Sequence, residues 1–510
     1  MLVALPDDDF FPDLFSFLFN HWRFQMKNSI EFWHDVCMEI VRRDFSKQPD
    51  GSPAKPDQGG PTRTTRALAI AHLAMHDAHF GTVDPAATYL QRLSAPVALP
   101  PAPAPFSADS ALGTAAALCL LATYPSHAAF INRMASVFLD PNPDHVARDN
   151  GHRYGEAIAA IFIDLRRNDG AGDAMGYRPS TAYGRHREDP YDPGQGFLTP
   201  QWGNVARFCT PARVPLDPPP GYDLPDYLSD ADYRKDFREV QDEGILASTK
   251  RSPDERAVGY YWGYDGANQI GVPPRLYNQI ARAWLDRHHP GDVDKAVQLL
   301  AMVNAGMADA GIDAWHHKYA YNLWRPTIGI REASLSTGPI AVAGPKSSAT
   351  AGADLGDPCW APLGLPTTNE PERRALSRTP PFPAYPSGHA TFGATLFQIM
   401  QRFSGAAAMS LQDVLDTATS NPDIAGQDFD FVSDELNGQS IDADGSVRTR
   451  HLRRFRNFAR PTFENAISRV YIGVHWRFDG MPRADVAGKR YGGVPLGLAI
   501  GSQTFDFFTL

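Results

Sequence analysis

Cysteine is scarce in this sequence. Only Cys37, Cys119, Cys209 and Cys359 occur in 510 residues, and no pair has metal-ligand spacing. A disulfide scaffold and a zinc ribbon are therefore excluded. The four read as buried small side chains or free thiols. Positive charge in excess is also missing. The net charge is −10, which argues against a nucleic-acid partner. No apolar run reaches the ~18–20 residues of a membrane helix, so no membrane span is expected. The Ala-rich stretch Ser110–Leu121 reads as a core helix. The opening residues, MLVALPDDDFFPDLF, lack the basic start and apolar core of a secretory signal. The chain is expected to be soluble. A GxxxxGK[ST] loop is absent, and no cluster of carboxylates suits Mg²⁺ or a two-metal phosphatase. Period-2 strand patterns are few, and there is no short repeat.

What is present is helix. SIEFWHDVCMEIVRR (Ser29–Arg43) starts on a serine read as its N-cap and alternates faces at helical spacing. Further helical patterns cover Arg66–Phe80, Asp144–Arg167 and Pro273–His289, the last with proline where a missing N–H costs nothing. Another runs from DVDKAVQLL to Pro326. Between them lie irregular stretches rich in Pro, Gly and Asp, near Tyr177–Asp226, Glu332–Pro386 and Asn421–Arg448. The first is the best boundary. It divides the chain into an N-terminal helical half, residues 1–225, and a C-terminal half, residues 226–510, packed as one compact unit. The fold class is all-α, with helices in bundles and long loops laid over one end. Such loops in a compact protein are usually functional.

Three segments carry chemistry. PFPAYPSGHATFGATLF (Pro381–Phe397) joins a proline-stiffened arm to a helix entered through Ser387 and Gly388. A helix N-terminus presents free N–H groups and partial positive charge to an anion. His389 stands on its first turn. KYAYNLWRP places Lys318 and Arg325 seven residues apart, two helical turns, so both are expected on one face near Trp315 and Trp324. SRVYIGVHWRFDG holds Arg469 and His475, with Asp479 four residues on and able to orient the imidazole if the helix continues. Together these segments supply three cations, two neutral donors and two histidines that titrate near neutrality. That inventory suits a tetrahedral or trigonal-bipyramidal oxyanion. Arginine forks match paired oxygens, and lysine acts as a point charge.

Lys-x6-Arg-Pro, then Pro-Ser-Gly-His, then Ser-Arg-x3-Gly-x-His-x3-Asp resembles the superfamily shared by vanadium-dependent haloperoxidases and type-2 phosphatidic-acid phosphatases. The blocks PPFPAYPSGHATFGATLFQ, FENAISRVYIGVHWRFD, YYWGYDGANQIGVPPRLYNQI and RALAIAHLAMHDAHF are similar to its fungal chloroperoxidase branch. The resemblance implies two four-helix bundles and a vanadate cofactor. Lys318, Arg325, Ser387, Gly388 and Arg469 then match residues that hydrogen-bond vanadate oxygens. His475 matches the histidine bound to vanadium, and His389 the acid–base histidine. Lys318 also polarises the oxidant. Asp265 matches an acid pairing with Arg469, and Trp315 and Phe382 match the aromatics of the halide site. Phe382 leans toward chloride oxidation, because algal bromoperoxidases carry histidine there. The implied partners are hydrogen peroxide, chloride or bromide, and a small organic acceptor; the implied location is extracellular. An acid phosphatase using the same cage, with His475 as nucleophile, and a non-catalytic oxyanion binder are the alternatives.

Overall fold

The computed structural model describes residues 28–48, 50–138, 140–224, 227–333, 356–371, 377–486 and 488–510. The opening segment MLVALPDDDFFPDLF lies outside them, as do residues 334–355 and 372–376 of the second irregular stretch.

The molecule is built from helices. In chain order the principal ones are α1 (Ser29–Asp44), α2 (Pro61–Phe80), α3 (Ala108–Thr123), α4 (His145–Leu165), α5 (Ala231–Glu243), α6 (Pro253–Tyr261) and α7 (Pro273–His288). They continue with α8 (Val293–Tyr321), α9 (Gly388–Phe403), α10 (Ala459–Tyr471) and α11 (Gly493–Thr509). One antiparallel pair of strands, β1 (Phe429–Val432) and β2 (Leu452–Phe455), is the sheet found among the described residues. The caps follow local chemistry. Asp144 accepts the N–H groups of Val146 and Ala147, and Ser252 with Glu255 closes a reciprocal box. The cap of α1 is Asn28 rather than Ser29. Its side chain accepts from Glu31 N at 3.0 Å, a bond its longer reach favours. The Pro-rich stretch from Tyr177 contains no α-helix among its described residues, as proline demands.

Helix α8 is the axis of the fold. It is buried along nearly its whole length from Ala296 to Lys318. On one side it packs on α2, which in turn packs on α3 and α4; on the other it meets α9 and α11. The apolar core is continuous, from Ile30 in α1 to Phe508 in α11. No single helix among the described residues is long and apolar enough to cross a membrane. The α9–α11 contact is unusually close because α11 turns Gly493 and Gly497 toward its partner. A Cβ on Gly493 would lie 2.4 Å from Ser387 O, and one on Gly497 would lie 2.3 Å from Thr391 O. Glycine there lets α11 back the first turns of α9, where the site begins. Cys37, Cys119 and Cys209 are buried and Cys359 is exposed, all as free thiols.

Candidate active site

The proline arm explains the first part of the site. Lys318 lies in the last turn of α8, and Asn322 then adopts the left-handed conformation (φ 52°), so the chain reverses. Arg325 follows as the cap of a short helix, Pro326–Glu332. Lys318 and Arg325 therefore do not share one helical face as their spacing suggested; the break intervenes. They meet through the arm instead. Ala384 N donates to Leu323 O at 2.9 Å and draws the arm alongside. The Lys318 Nζ donates to Pro383 O and Ala384 O (2.9 and 3.0 Å), and Arg325 Nε donates to Phe382 O (3.0 Å). A non-helical arm leaves its carbonyls unspent, and these anchor two buried cations. Lys318 also stands 5.0 Å from the Phe382 ring and 5.6 Å from Trp315, while Arg325 lies 5.0 Å from Phe382. Such contacts suit desolvated cations.

Ser387 caps α9 and accepts from Ala390 N at 3.4 Å, which leaves its hydroxyl proton uncommitted. The N–H of Gly388 opens the helix and has no intrahelical acceptor. A Cβ at Gly388 would come within 3.3 Å of the Trp315 ring and narrow the cradle.

Arg469 lies on α10, and its Nη2 grips both oxygens of Asp265 at 2.9 Å. After Tyr471 the helix stops. Gly473 takes φ +74°, where a Cβ would strike Gly244 O at 2.5 Å. The helix therefore does not continue to Asp479, contrary to the condition set by the four-residue spacing. Asp479 sits on a separate turn, Arg477–Gly480, yet its Oδ2 still accepts from His475 Nδ1 at 2.8 Å and from Trp476 N at 3.0 Å. That bond fixes the Nδ1–H tautomer of His475 and leaves Nε2 with a lone pair. Arg325 Nη1 lies 3.3 Å from that Nε2 and donates to Val474 O at 2.7 Å. His389 Nε2 donates to Gly263 O at 2.7 Å and lies 3.7 Å from Asp265. Its Nδ1 is thus the free acceptor.

Three nitrogens decide what the cage can do. Arg325 Nη2 and Arg469 Nε and Nη1 are buried without a protein partner. Lys318, Arg325, Ser387 and Arg469 are 0% exposed. Each such donor left unsatisfied costs about 1–3 kcal/mol. Burial, then the charges of Arg325, Lys318 and Arg469, drives the His475 imidazole well below its ordinary range. Burial and then Arg469 do the same to His389. Burial and Arg325 pull Lys318 down strongly. Burial pushes Asp479 and Asp265 up against the neighbouring cations. Both imidazoles are thereby biased toward their neutral form.

A cleft of about 120 Å³ leads to this point, lined by Phe45, Leu198, Trp315, Phe382, Phe392, His389 and His475 among others. Trp315 and Phe382 pack with ring centroids 4.7 Å apart. Lys318, Arg325, Ser387, Gly388, His389, Arg469, His475, Asp265, Trp315 and Phe382 lie together here, whereas Trp324 turns to the Tyr233 hydroxyl (2.9 Å) and the Tyr183 ring. The sequence reading missed Leu198, which enters from the Pro-rich stretch; its carbonyl is held by Trp315 Nε1 (3.2 Å) and the Tyr319 hydroxyl (2.8 Å). It also missed the Gly263 carbonyl that orients His389. Neither leaves a sequence signal.

A mostly helical fold that gathers histidines, three basic side chains and a helix N-terminus around buried, unpartnered guanidinium nitrogens defines a class. The comparisons make it specific. A model described as the VCPO second helical-bundle domain matches residues 298–506, and one for the vanadium chloroperoxidase N-terminal domain matches residues 23–201. The chain is 32% identical to vanadium chloroperoxidase of Curvularia inaequalis, across 90% of this chain and 80% of the relative. It therefore belongs to the vanadium chloroperoxidase family. Its fold is similar to a bacterial vanadium-dependent iodoperoxidase (TM-score 0.66, 20% identity, 94% of this chain and 95% of that one). It is also similar to a holo-type bacterial vanadium-dependent chloroperoxidase (TM-score 0.54, 16% identity, 88% and 92%).

Proposed function

We propose that the cage holds vanadate and that the protein oxidises chloride or bromide with hydrogen peroxide. The balance is halide, peroxide and a proton giving hypohalous acid and water. The observation that carries this reading is the set of unpartnered guanidinium nitrogens beside the lone pair of His475 Nε2. Such a donor set fits an oxyanion that also accepts one nitrogen ligand. His475 would hold vanadium, and Arg325 Nη2, Arg469 Nε and Nη1, the Ser387 hydroxyl and the Gly388 N–H would hold its oxygens. When bound, vanadate supplies a Lewis acid that makes peroxide electrophilic.

The chain's own groups do the rest. Asp479 keeps the proton of His475 on Nδ1. An anion in the cage favours the ammonium form of Lys318, which keeps one proton beyond those given to Pro383 O and Ala384 O for a developing negative charge. His389 Nδ1 accepts the proton that peroxide gives up on binding and returns one to the leaving oxygen. The apolar cleft with Trp315 and Phe382 strips water from the halide. We further propose that the two halves, residues 1–225 and 226–510, each form a four-helix bundle within one compact unit, with the site carried by the second.

The test strips the protein with chelator and phosphate and adds back orthovanadate. Bromination and chlorination of a dimedone-type reporter are followed beside p-nitrophenyl phosphate hydrolysis. Halogenation that appears only with vanadate supports the reading. Halogenation independent of vanadate, or phosphate-ester hydrolysis alone, defeats it.

A further inference from the structure

The turn that carries the key histidine is short and makes few bonds of its own. Arg477–Gly480 is a single helical turn. Its first N–H groups have no partner within it. Two bonds leave it toward the cage: Asp479 Oδ2 holds His475 Nδ1, and Asp479 O accepts from Ser387 N at 2.7 Å. One displacement of this turn would thus move both the nitrogen ligand and the α9 cap. Something outside it must fix its place.

Helix α5 does so. Its residues Tyr233, Asp236, Phe237 and Val240 are buried at helical spacing and form one face. Tyr233 meets Trp476 and Phe478 with centroids 5.2 and 5.5 Å apart, and Phe237 stacks on Trp476 at 5.7 Å. Between these rings Asp236 Oδ2 accepts from Phe478 N at 2.9 Å, and its Oδ1 accepts from Arg483 Nε at 2.6 Å. Glu239 then joins Arg477 (2.8 Å) to Arg483 (2.6 Å). Asp236 is 2% exposed, and its carboxylate sits on neither the cleft nor the cage.

We infer that Asp236 is a positioning residue for the oxyanion cage, acting through Phe478 N to hold the turn that sets His475, Asp479 and Ser387. This rests on the proposed function, since it is vanadate affinity that the clamp governs. Partners behind a metal ligand are commonly worth 10–100-fold in affinity. Asp236 lies one bond further out, so tenfold is the expected scale.

The test titrates metal-free protein with orthovanadate, and in parallel with inorganic phosphate, by calorimetry. Asp236→Ala is expected to weaken vanadate binding about tenfold or more, with peroxide KM within about twofold once vanadate saturates. Asp236→Asn keeps an acceptor for Phe478 N and is expected to recover most of the loss. Asp230→Ala removes the α5 cap, which accepts from Asp232 N and Tyr233 N, without touching the turn; it should lower the melting temperature and leave vanadate affinity unchanged. Wild-type affinity in Asp236→Ala, whatever happens to its melting temperature, overturns the inference. If that variant does not fold, Arg483→Gln decides: weaker binding is expected, and unchanged binding overturns it. A parent protein that binds neither anion overturns the proposed function and this inference with it; a parent that binds while Asp236→Ala binds equally well overturns the inference alone.

Discussion

Replacing Arg469 by methionine separates two roles that the structure gives one side chain. Nη2 neutralises Asp265, and Nε and Nη1 face the cage unpartnered. On the ligand side, two hydrogen bonds to a charged group are lost, about 1.5–3 kcal/mol each, so anion affinity should fall roughly 10²–10⁴-fold. On the stability side, a buried carboxylate loses its partner at a cost of about 3–5 kcal/mol. At an unfolding entropy of about 2.1 cal/mol/K per residue, that is a fall of roughly 3–5 °C in Tm. The true fall should sit at the lower end, because burial already raises the Asp265 carboxyl toward its neutral form. Adding Asp265→Asn removes the orphaned charge. The double variant should regain melting temperature and regain none of the affinity. Calorimetric titration with orthovanadate and scanning calorimetry of the three proteins measure both. An Arg469→Met variant that binds vanadate as the parent does would refute the reasoning. So would a double variant that recovers affinity along with stability.

His475→Ala should abolish halogenation at ordinary vanadate concentrations by removing the nitrogen ligand, seen as loss of calorimetric binding rather than loss of kcat at saturation. His389→Ala should keep vanadate affinity within about threefold and slow turnover about 10²–10⁴-fold; equal losses in both would contradict its role as the proton carrier. Phe382→His should raise the bromide-to-chloride ratio of turnover, since it replaces an apolar wall that holds both cations with a polar ring. Acid stability should follow the buried pair His34 and His72, whose rings bond at 3.1 Å. Burial lowers His72 from 6.5 to about 4, so the unfolded chain binds more protons between those values. Its contribution is full above about pH 6.5 and disappears as pH falls through about 4, a change of roughly 3 kcal/mol. Urea midpoints across that range should fall less steeply in His72→Gln, and an identical slope would remove His72 from the account.

Much of the site was legible because its chemistry is local. Pro-Ser-Gly-His is a helix start, and each residue keeps that role in the fold. The histidine–aspartate pair was also visible, but on a condition the fold does not meet. Four-residue spacing made the contact conditional on a continuing helix; Gly473 ends the helix, and the pair forms across a turn instead. Lys318 and Arg325 likewise meet because Asn322 reverses the chain and the arm's carbonyls receive both. Periodicity registers a helix but not its interruption by one left-handed residue. Asp265, 204 positions from Arg469, was placed only through resemblance. Leu198 reaches the site from a distant segment, and nothing in its neighbours announces it. The fold class followed from helical spacing and from proline placement. The close seating of α11 on α9 did not, because it depends on which glycines face which carbonyls.

The most direct measurement is an anomalous difference map from a crystal soaked in orthovanadate, recorded on either side of the vanadium edge. The account predicts a single strong peak bonded to His475 Nε2, within hydrogen-bond reach of Arg325 and Arg469. A cage without a peak, or a vanadium atom held elsewhere on the molecule, would contradict it.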